Sequence, residues 1–214
     1  MRLFASRQQS LVLAAGLLSV VMLPVVLFLT SVVSPLTGYI STLAIYWVFF
    51  CLPVSVVMGR GPNYVSVELA LTPPWIPVVA LALPIAVFLV AGPTAWLGAD
   101  TRVLALAIGC ALANAPLEEL AWRRAFRANS DGRLRFEILG LVLFTLWHVP
   151  LSFSRGIDFD YGIVGLVGGA FFLGTVWVFL TRAANSVGWP ILSHVLVNLA
   201  AFVPFFASNA SQHT

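Results

Sequence analysis

Long apolar runs separated by short polar segments make up most of this 214-residue chain. A helix that crosses a bilayer needs about 20 mostly apolar residues, and seven stretches are candidates. They are residues 11–33, 39–58, 75–96, 103–127, 136–150, 161–181 and 187–206. The third is interrupted by Pro84, and the fifth is short unless it begins near Arg133. The pattern predicts an all-α, polytopic transmembrane helical bundle with about seven spans, in a range of six to eight.

Composition supports a membrane protein and excludes an ordinary soluble domain. Hydrophobic residues make up 60% of the chain and charged residues only 9%, whereas soluble domains carry about 25% charged residues. The formal net charge of +3 is small and scattered, so no nucleic-acid partner is expected. A signal peptide has an apolar stretch of about 7–15 residues, and the first apolar run of this chain is longer. We therefore expect it to be retained as the first span.

The arginines predict the orientation of the bundle. All 11 basic residues are arginines, and basic residues concentrate at the cytoplasmic ends of spans. With a cytoplasmic N-terminus, only Arg102 and Arg155 fall on the outer side. The others fall at cytoplasmic ends: Arg2, Arg7, Arg60, Arg123, Arg124, Arg127, Arg133, Arg135 and Arg182. We expect a multi-pass protein of the bacterial cytoplasmic membrane with its N-terminus in the cytoplasm.

A few polar side chains lie deep within the predicted spans, where such groups are costly and usually functional. They are Glu118, Glu119 and Arg123 in the fourth span, His148 in the fifth, and His194 and Asn198 in the seventh.

The two glutamates of the fourth span are predicted to have different roles. Glu119 and Arg123 are four residues apart on one helix face and are expected to pair. Successive helix residues point about 100° apart, so Glu118 faces elsewhere and has no partner within its own helix. An unpaired buried carboxyl group is suited to act as a general base or acid. The competing interpretation is that these charges cap the cytoplasmic end of the helix and reach water.

The depth of these groups is compatible with one common site. At a rise of about 1.5 Å per residue, Glu118 lies about 13 Å from an edge at Arg127 and His194 about 13 Å from Asn185. By the same rise, His148 lies about 20 Å from an edge at Arg135. Phe144, four residues before His148, is placed to form a wall beside the imidazole. We expect the polar groups of the three spans to face one internal cavity.

Three short motifs in this order resemble the signature of the CPBP intramembrane proteases. Residues 118–123 match E-E-x-x-x-R, residues 144–148 match F-x-x-x-H, and residues 194–198 match H-x-x-x-N. That family includes the type II CAAX prenyl endopeptidases and the Abi proteins. The resemblance covers about half of the chain, and it divides the sequence into 1–102 without family motifs, a catalytic core at 103–206, and a polar tail at 207–214.

The resemblance implies hydrolysis of a peptide bond within the membrane. By carry-over, Glu118 and His148 hold and activate a water, while His194 and Asn198 stabilise the oxyanion. Glu119 and Arg123 support the site from behind. The implied partner is a membrane-associated protein or peptide, cleaved at a C-terminal tail, a leader or a sorting signal, and no cofactor is implied.

Two alternatives stay open at the level of sequence. Two histidines and one glutamate form a plausible catalytic zinc set, which here would be Glu118, His148 and His194. The motif H-E-x-x-H is absent, however, and Asn198 suits hydrogen bonding better than metal binding. The second alternative is a non-catalytic immunity or scaffold protein, because buried histidine and glutamate residues also occur in membrane proteins for other purposes, such as proton relays.

Overall fold

The computed structural model describes residues 2–69 and 71–211, and side chains within 6–69 and 71–210. The described chain forms helices and one isolated bridge between Ser66 and Ser186. The helices are α1 (Arg2–Val32), α2 (Pro35–Met58), α3 (Trp75–Ala91), α4 (Thr94–Leu97), α5 (Thr101–Ala128), α6 (Leu134–Leu151), α7 (Gly162–Ala184) and α8 (Gly188–Ser211). The predicted all-α bundle is confirmed.

Six of these helices, α1, α2 and α5 to α8, are long and apolar enough to cross a membrane. Helix α3 has 17 residues and is shorter than the span predicted at 75–96. It passes through Pro84 without stopping and ends at Gly92, whose φ of 92° is a left-handed value that favours glycine. Pro93 follows, and the chain restarts as the short helix α4. Glycine and proline together therefore divide the predicted third span.

Helix α8 is longer than predicted and absorbs most of the segment expected to be a polar tail. It continues through Ser211, while residues 212–214 lie outside the described chain. The reason is Asn209, which is fully buried. Its amide exchanges two hydrogen bonds with the backbone of Asp158, receiving one at 2.8 Å and donating one at 3.0 Å. This polar contact fixes the last turns of α8 against the loop between α6 and α7.

The distribution of side chains is the reverse of that in a soluble protein. Large apolar side chains such as Val20, Phe49 and Val164 are 70%, 75% and 78% exposed. Charged side chains such as Glu118 and Arg123 are buried in the bundle, at 2% and 3% exposure. Exposed apolar surface of this extent requires an apolar solvent, because water would penalise it. The outer face of the bundle is therefore suited to lipid.

Helix α8 occupies the centre of the packing and joins two apolar clusters. It packs against α3 on one side and α5 on the other, while α6 packs against α7 and α1 packs against α2 and α6. One cluster includes Tyr46 of α2, Trp122 of α5 and Trp147 of α6. The other includes Trp177 of α7 and Val197 of α8. The polar residues of α5 and α8 lie between these two clusters.

Candidate active site

A widened turn in α5 carries the two glutamates. The helix has α-geometry up to Glu118 and takes π-helical hydrogen bonding over Glu119–Arg124. Such π-turns occur often at functional sites. Both carboxylates are buried, with Glu118 2% exposed and Glu119 not exposed at all. The turn thus holds two adjacent acidic side chains inside the bundle.

Both glutamates contact the same imidazole. His194 Nδ1 lies 2.9 Å from Glu119 Oε1, and its Nε2 lies 3.6 Å from Glu118 Oε2. Successive side chains of a helix point in different directions, but Glu118 and Glu119 both reach His194, because the two nitrogens of its imidazole lie on different edges of the ring. The imidazole also stacks on Trp177, with ring centroids 3.9 Å apart. His194 is therefore fixed on both edges and on one face.

Arg123 supports this arrangement from behind Glu119. Its Nε lies 3.5 Å from Glu119 Oε2, and its guanidinium carbon lies 4.0 Å from the centroid of the Phe144 ring. An ionised Glu119 beside this cation can only accept a hydrogen bond, so the Nδ1–H of His194 donates to it. The three guanidinium nitrogens have no hydrogen-bond partner within the described part of the chain. Arg123 therefore acts on its neighbours through charge and ring stacking.

Glu118 has partners that the sequence analysis did not find. The amide nitrogen of Asn114, one turn earlier in α5, donates to Glu118 Oε2 at 3.2 Å. The hydroxyl of Tyr46 in α2, which accepts a hydrogen bond from Trp122 one turn after Glu118, also interacts with this carboxylate. The expectation that Glu118 has no partner within its own helix was wrong. The missed signal is the polar residue at i−4, where side chains on a helix are neighbours.

His148 is oriented by its own helix. Its Nδ1 lies 2.9 Å from the backbone oxygen of Phe144, and a carbonyl oxygen can only accept, so Nδ1 carries the hydrogen. In the neutral ring this leaves the lone pair on Nε2. The Phe144 ring stands edge-on to the imidazole, with centroids 4.7 Å apart. The same Phe144 ring carries the Arg123 guanidinium on its face, so it links His148 to the cluster on α5 and α8.

Asn198 follows His194 by one turn of α8 and is 7% exposed. Its amide nitrogen has no hydrogen-bond partner among the residues that the structure describes. A buried donor without a partner is costly and calls for an explanation. This amide is a donor that remains available to a bound group.

The zinc alternative assigns Glu118, His148 and His194 as metal ligands. Within residues 2–69 and 71–211, no group of three His, Cys, Asp or Glu side chains is placed to hold a metal ion. Cys51 and Cys110 are buried and unpaired with each other.

A buried polar cluster inside a bundle of apolar spans defines an integral multi-pass membrane protein with an intramembrane site. Residues 100–200 match the model of the family described as Type II CAAX prenyl endopeptidase Rce1-like, which supports the CAAX protease family for this part of the chain. Searches of the curated proteins and of the solved structures gave no match. The family match fits a membrane-embedded protease that acts on a membrane-associated substrate.

Replacing Glu119 by alanine is expected to destabilise the protein more than replacing Glu118. Loss of Glu119 leaves the buried Arg123 cation without its opposite charge and the Nδ1–H of His194 without its acceptor. Removing one partner of a buried ion pair typically costs about 3–5 kcal/mol. Loss of Glu118 does not leave any charged side chain without its only partner. Thermal unfolding of Glu119→Ala and Glu118→Ala in the same detergent measures the difference, and equal losses would show that Glu119 and Arg123 do not form a stabilising pair.

Proposed function

We propose that this protein is an intramembrane endopeptidase that hydrolyses a peptide bond of a membrane-associated substrate with a water activated by Glu118. The observation that carries this proposal is the imidazole of His194 held between Glu118 and Glu119 beside the unpartnered amide of Asn198. That arrangement combines a carboxylate base with donors for developing negative charge, which acyl transfer requires.

Glu118 is the proton acceptor of this mechanism. As the water oxygen attacks the carbonyl carbon, the proton of the water passes to the Glu118 carboxylate. Nε2 of His148 carries a lone pair and accepts the second hydrogen of the water as a hydrogen bond. When the tetrahedral intermediate collapses, the carbon–nitrogen bond breaks and Glu118 returns the proton to the departing amine. The products are a new carboxylic acid, which then loses its remaining proton to solvent, and a new amine.

His194 and Asn198 are the donors to the oxyanion. As a donor to the oxyanion, the ring of His194 uses Nε2–H, which lies on the side of Glu118 where the reacting group must lie. When Glu118 takes the proton, the negative charge moves to the oxyanion and the net charge of the site is unchanged. Asn198 supplies the second donor.

The substrate follows from the position of the site. Because the polar groups lie between apolar clusters of the bundle, the scissile bond must come from a segment that is held at the membrane. A C-terminal tail, a leader or a sorting signal of a membrane-associated protein meets this requirement. A prenylated CAAX tail is the substrate class that the family description names.

Cleavage by proteoliposomes tests the proposal directly. Purified protein is incubated with the membrane-protein fraction of cells that lack it, with a zinc chelator present, and new protein termini are identified by mass spectrometry. A prenylated CAAX peptide and its unprenylated counterpart serve as defined probes. We expect new termini that persist with the chelator and that a Glu118→Gln variant does not produce. Activity that is lost on chelation and restored only by zinc would contradict the water activation proposed here, and no cleavage of any substrate would favour a scaffold protein.

A further inference from the structure

Two tryptophans orient the groups that contact Glu118. Indole Nε1 of Trp47, in α2, donates to Asn114 Oδ1 at 2.7 Å. An indole nitrogen donates and never accepts, so the atom of Asn114 that faces it must be the oxygen. This contact removes the usual ambiguity between the amide oxygen and nitrogen. The NH₂ group of Asn114 is therefore turned toward Glu118.

The second partner of Glu118 is oriented in the same way. Indole Nε1 of Trp122 donates to the hydroxyl oxygen of Tyr46 at 2.5 Å. The hydroxyl oxygen accepts this hydrogen bond and keeps its own hydrogen, which can be donated toward the Glu118 carboxylate, with which it interacts. The Tyr46 ring is not exposed and stacks on Trp147, with centroids 4.1 Å apart. Tyr46 therefore has little freedom to turn away.

Each of these two sets of contacts includes a residue of α2, Trp47 in the first and Tyr46 in the second. Helix α2 lies in the part of the sequence that carries no family motif. Tyr46 and Trp47 are consecutive, and a π-turn at Trp47–Cys51 begins at this point. The turn lies opposite the π-turn of α5, and the two pack together. Two widened turns on neighbouring helices thus bring a hydroxyl and an indole against the residues around Glu118.

We propose that Asn114 and Tyr46 are positioning residues for Glu118, and that Trp47 acts through Asn114, so that helix α2 forms part of the catalytic centre. This inference rests on the proposed function of Glu118 as the base. Donors on one side of the carboxylate hold it in one rotamer and leave its remaining lone pairs directed toward the water. Without them the carboxylate retains its chemistry and loses its fixed orientation, so kcat falls while substrate binding is retained.

The test measures kcat, KM and thermal unfolding for Asn114→Ala, Tyr46→Phe, Trp47→Phe and the double variant of Trp47 and Asn114. We expect Asn114→Ala and Tyr46→Phe each to lower kcat about 10- to 100-fold, which is the factor that a hydrogen bond to a charged group is worth. KM is expected to change little. Trp47→Phe should give a smaller loss, and the double variant should equal Asn114→Ala alone, because Trp47 acts only through the amide.

Trp96→Phe is the matched control. Like Trp47, Trp96 is partly buried and packs against the same apolar cluster, but its indole nitrogen has no hydrogen-bond partner among the described residues. This variant should keep the wild-type kcat. Independent, additive effects of Trp47→Phe and Asn114→Ala would overturn the role of Trp47. Wild-type kcat in both Asn114→Ala and Tyr46→Phe, with Glu118→Gln inactive, would overturn the inference and leave the proposed function standing. An active Glu118→Gln would instead contradict the proposed function itself.

Discussion

Glu118→Gln is expected to abolish peptide-bond cleavage while leaving the fold intact. Glutamine has nearly the same shape as glutamate and keeps an oxygen for the hydrogen bond from Asn114. Its amide cannot accept a proton from water, however, so the general base is lost. General base catalysis contributes about 10²–10⁴-fold to a rate. The loss here should lie at the upper end of that range, because Glu118 also returns the proton to the leaving amine.

The measurement compares initial rates and unfolding temperatures of wild type and variant in liposomes. Glu68→Gln is the matched control, since it makes the same chemical change at an exposed position on the loop after α2. Cys110→Ala should also retain activity, because no thiol takes part in the mechanism. A Glu118→Gln protein that folds and keeps more than about a tenth of the wild-type rate would exclude Glu118 as the base, since that residual rate is far above the loss expected for a missing base.

Asn198→Ala is expected to lower kcat about 10²–10³-fold with KM nearly unchanged, because one donor to an oxyanion is typically worth that factor. The amide of Asn198 has no partner in the described structure. Its removal therefore breaks no existing hydrogen bond of that nitrogen, and the cost should appear in the transition state rather than in the free protein. The stability of the variant should accordingly stay close to that of wild type.

Asn63→Ala is a suitable control for this prediction. The side-chain nitrogen of Asn63 is also buried without a partner, but Asn63 lies in the loop after α2, where its backbone contacts the end of α5 at Ala128. Loss of activity in Asn198→Ala but not in Asn63→Ala would assign the effect to the site. A rise in KM with kcat preserved would indicate that Asn198 binds substrate and does not stabilise the oxyanion.

The role of His194 shows how geometry refines a motif. The sequence paired it with Asn198 through their spacing, and the resemblance assigned both to the oxyanion. In the structure His194 is in contact with both glutamates of the first motif. In the proposed mechanism, the base and this donor to the oxyanion therefore lie next to each other.

The sequence by itself determined the all-helical membrane bundle and the candidate residues for its chemistry. Apolar runs of bilayer length need no tertiary information to be recognised, because each backbone must satisfy its own hydrogen bonds in lipid. Because polar groups are costly in lipid, Glu118, Glu119 and His194 stand out within those apolar runs. Spacing along one helix was also sufficient to pair Glu119 with Arg123, whose side chains lie 3.5 Å apart.

Only the tertiary structure decided which groups on different helices meet. The shortened α3 depends on the left-handed turn at Gly92, and the extended α8 depends on the contact of Asn209 with Asp158. The contact of Tyr46 with Glu118 and Trp122 joins positions more than 70 residues apart. Hydrophobic periodicity predicts that a side chain is buried, but it does not predict which side chain of another helix it contacts. The packing of α2 against α5 supplies that neighbour, and with it the orientation of the carboxylate on which the proposed chemistry depends.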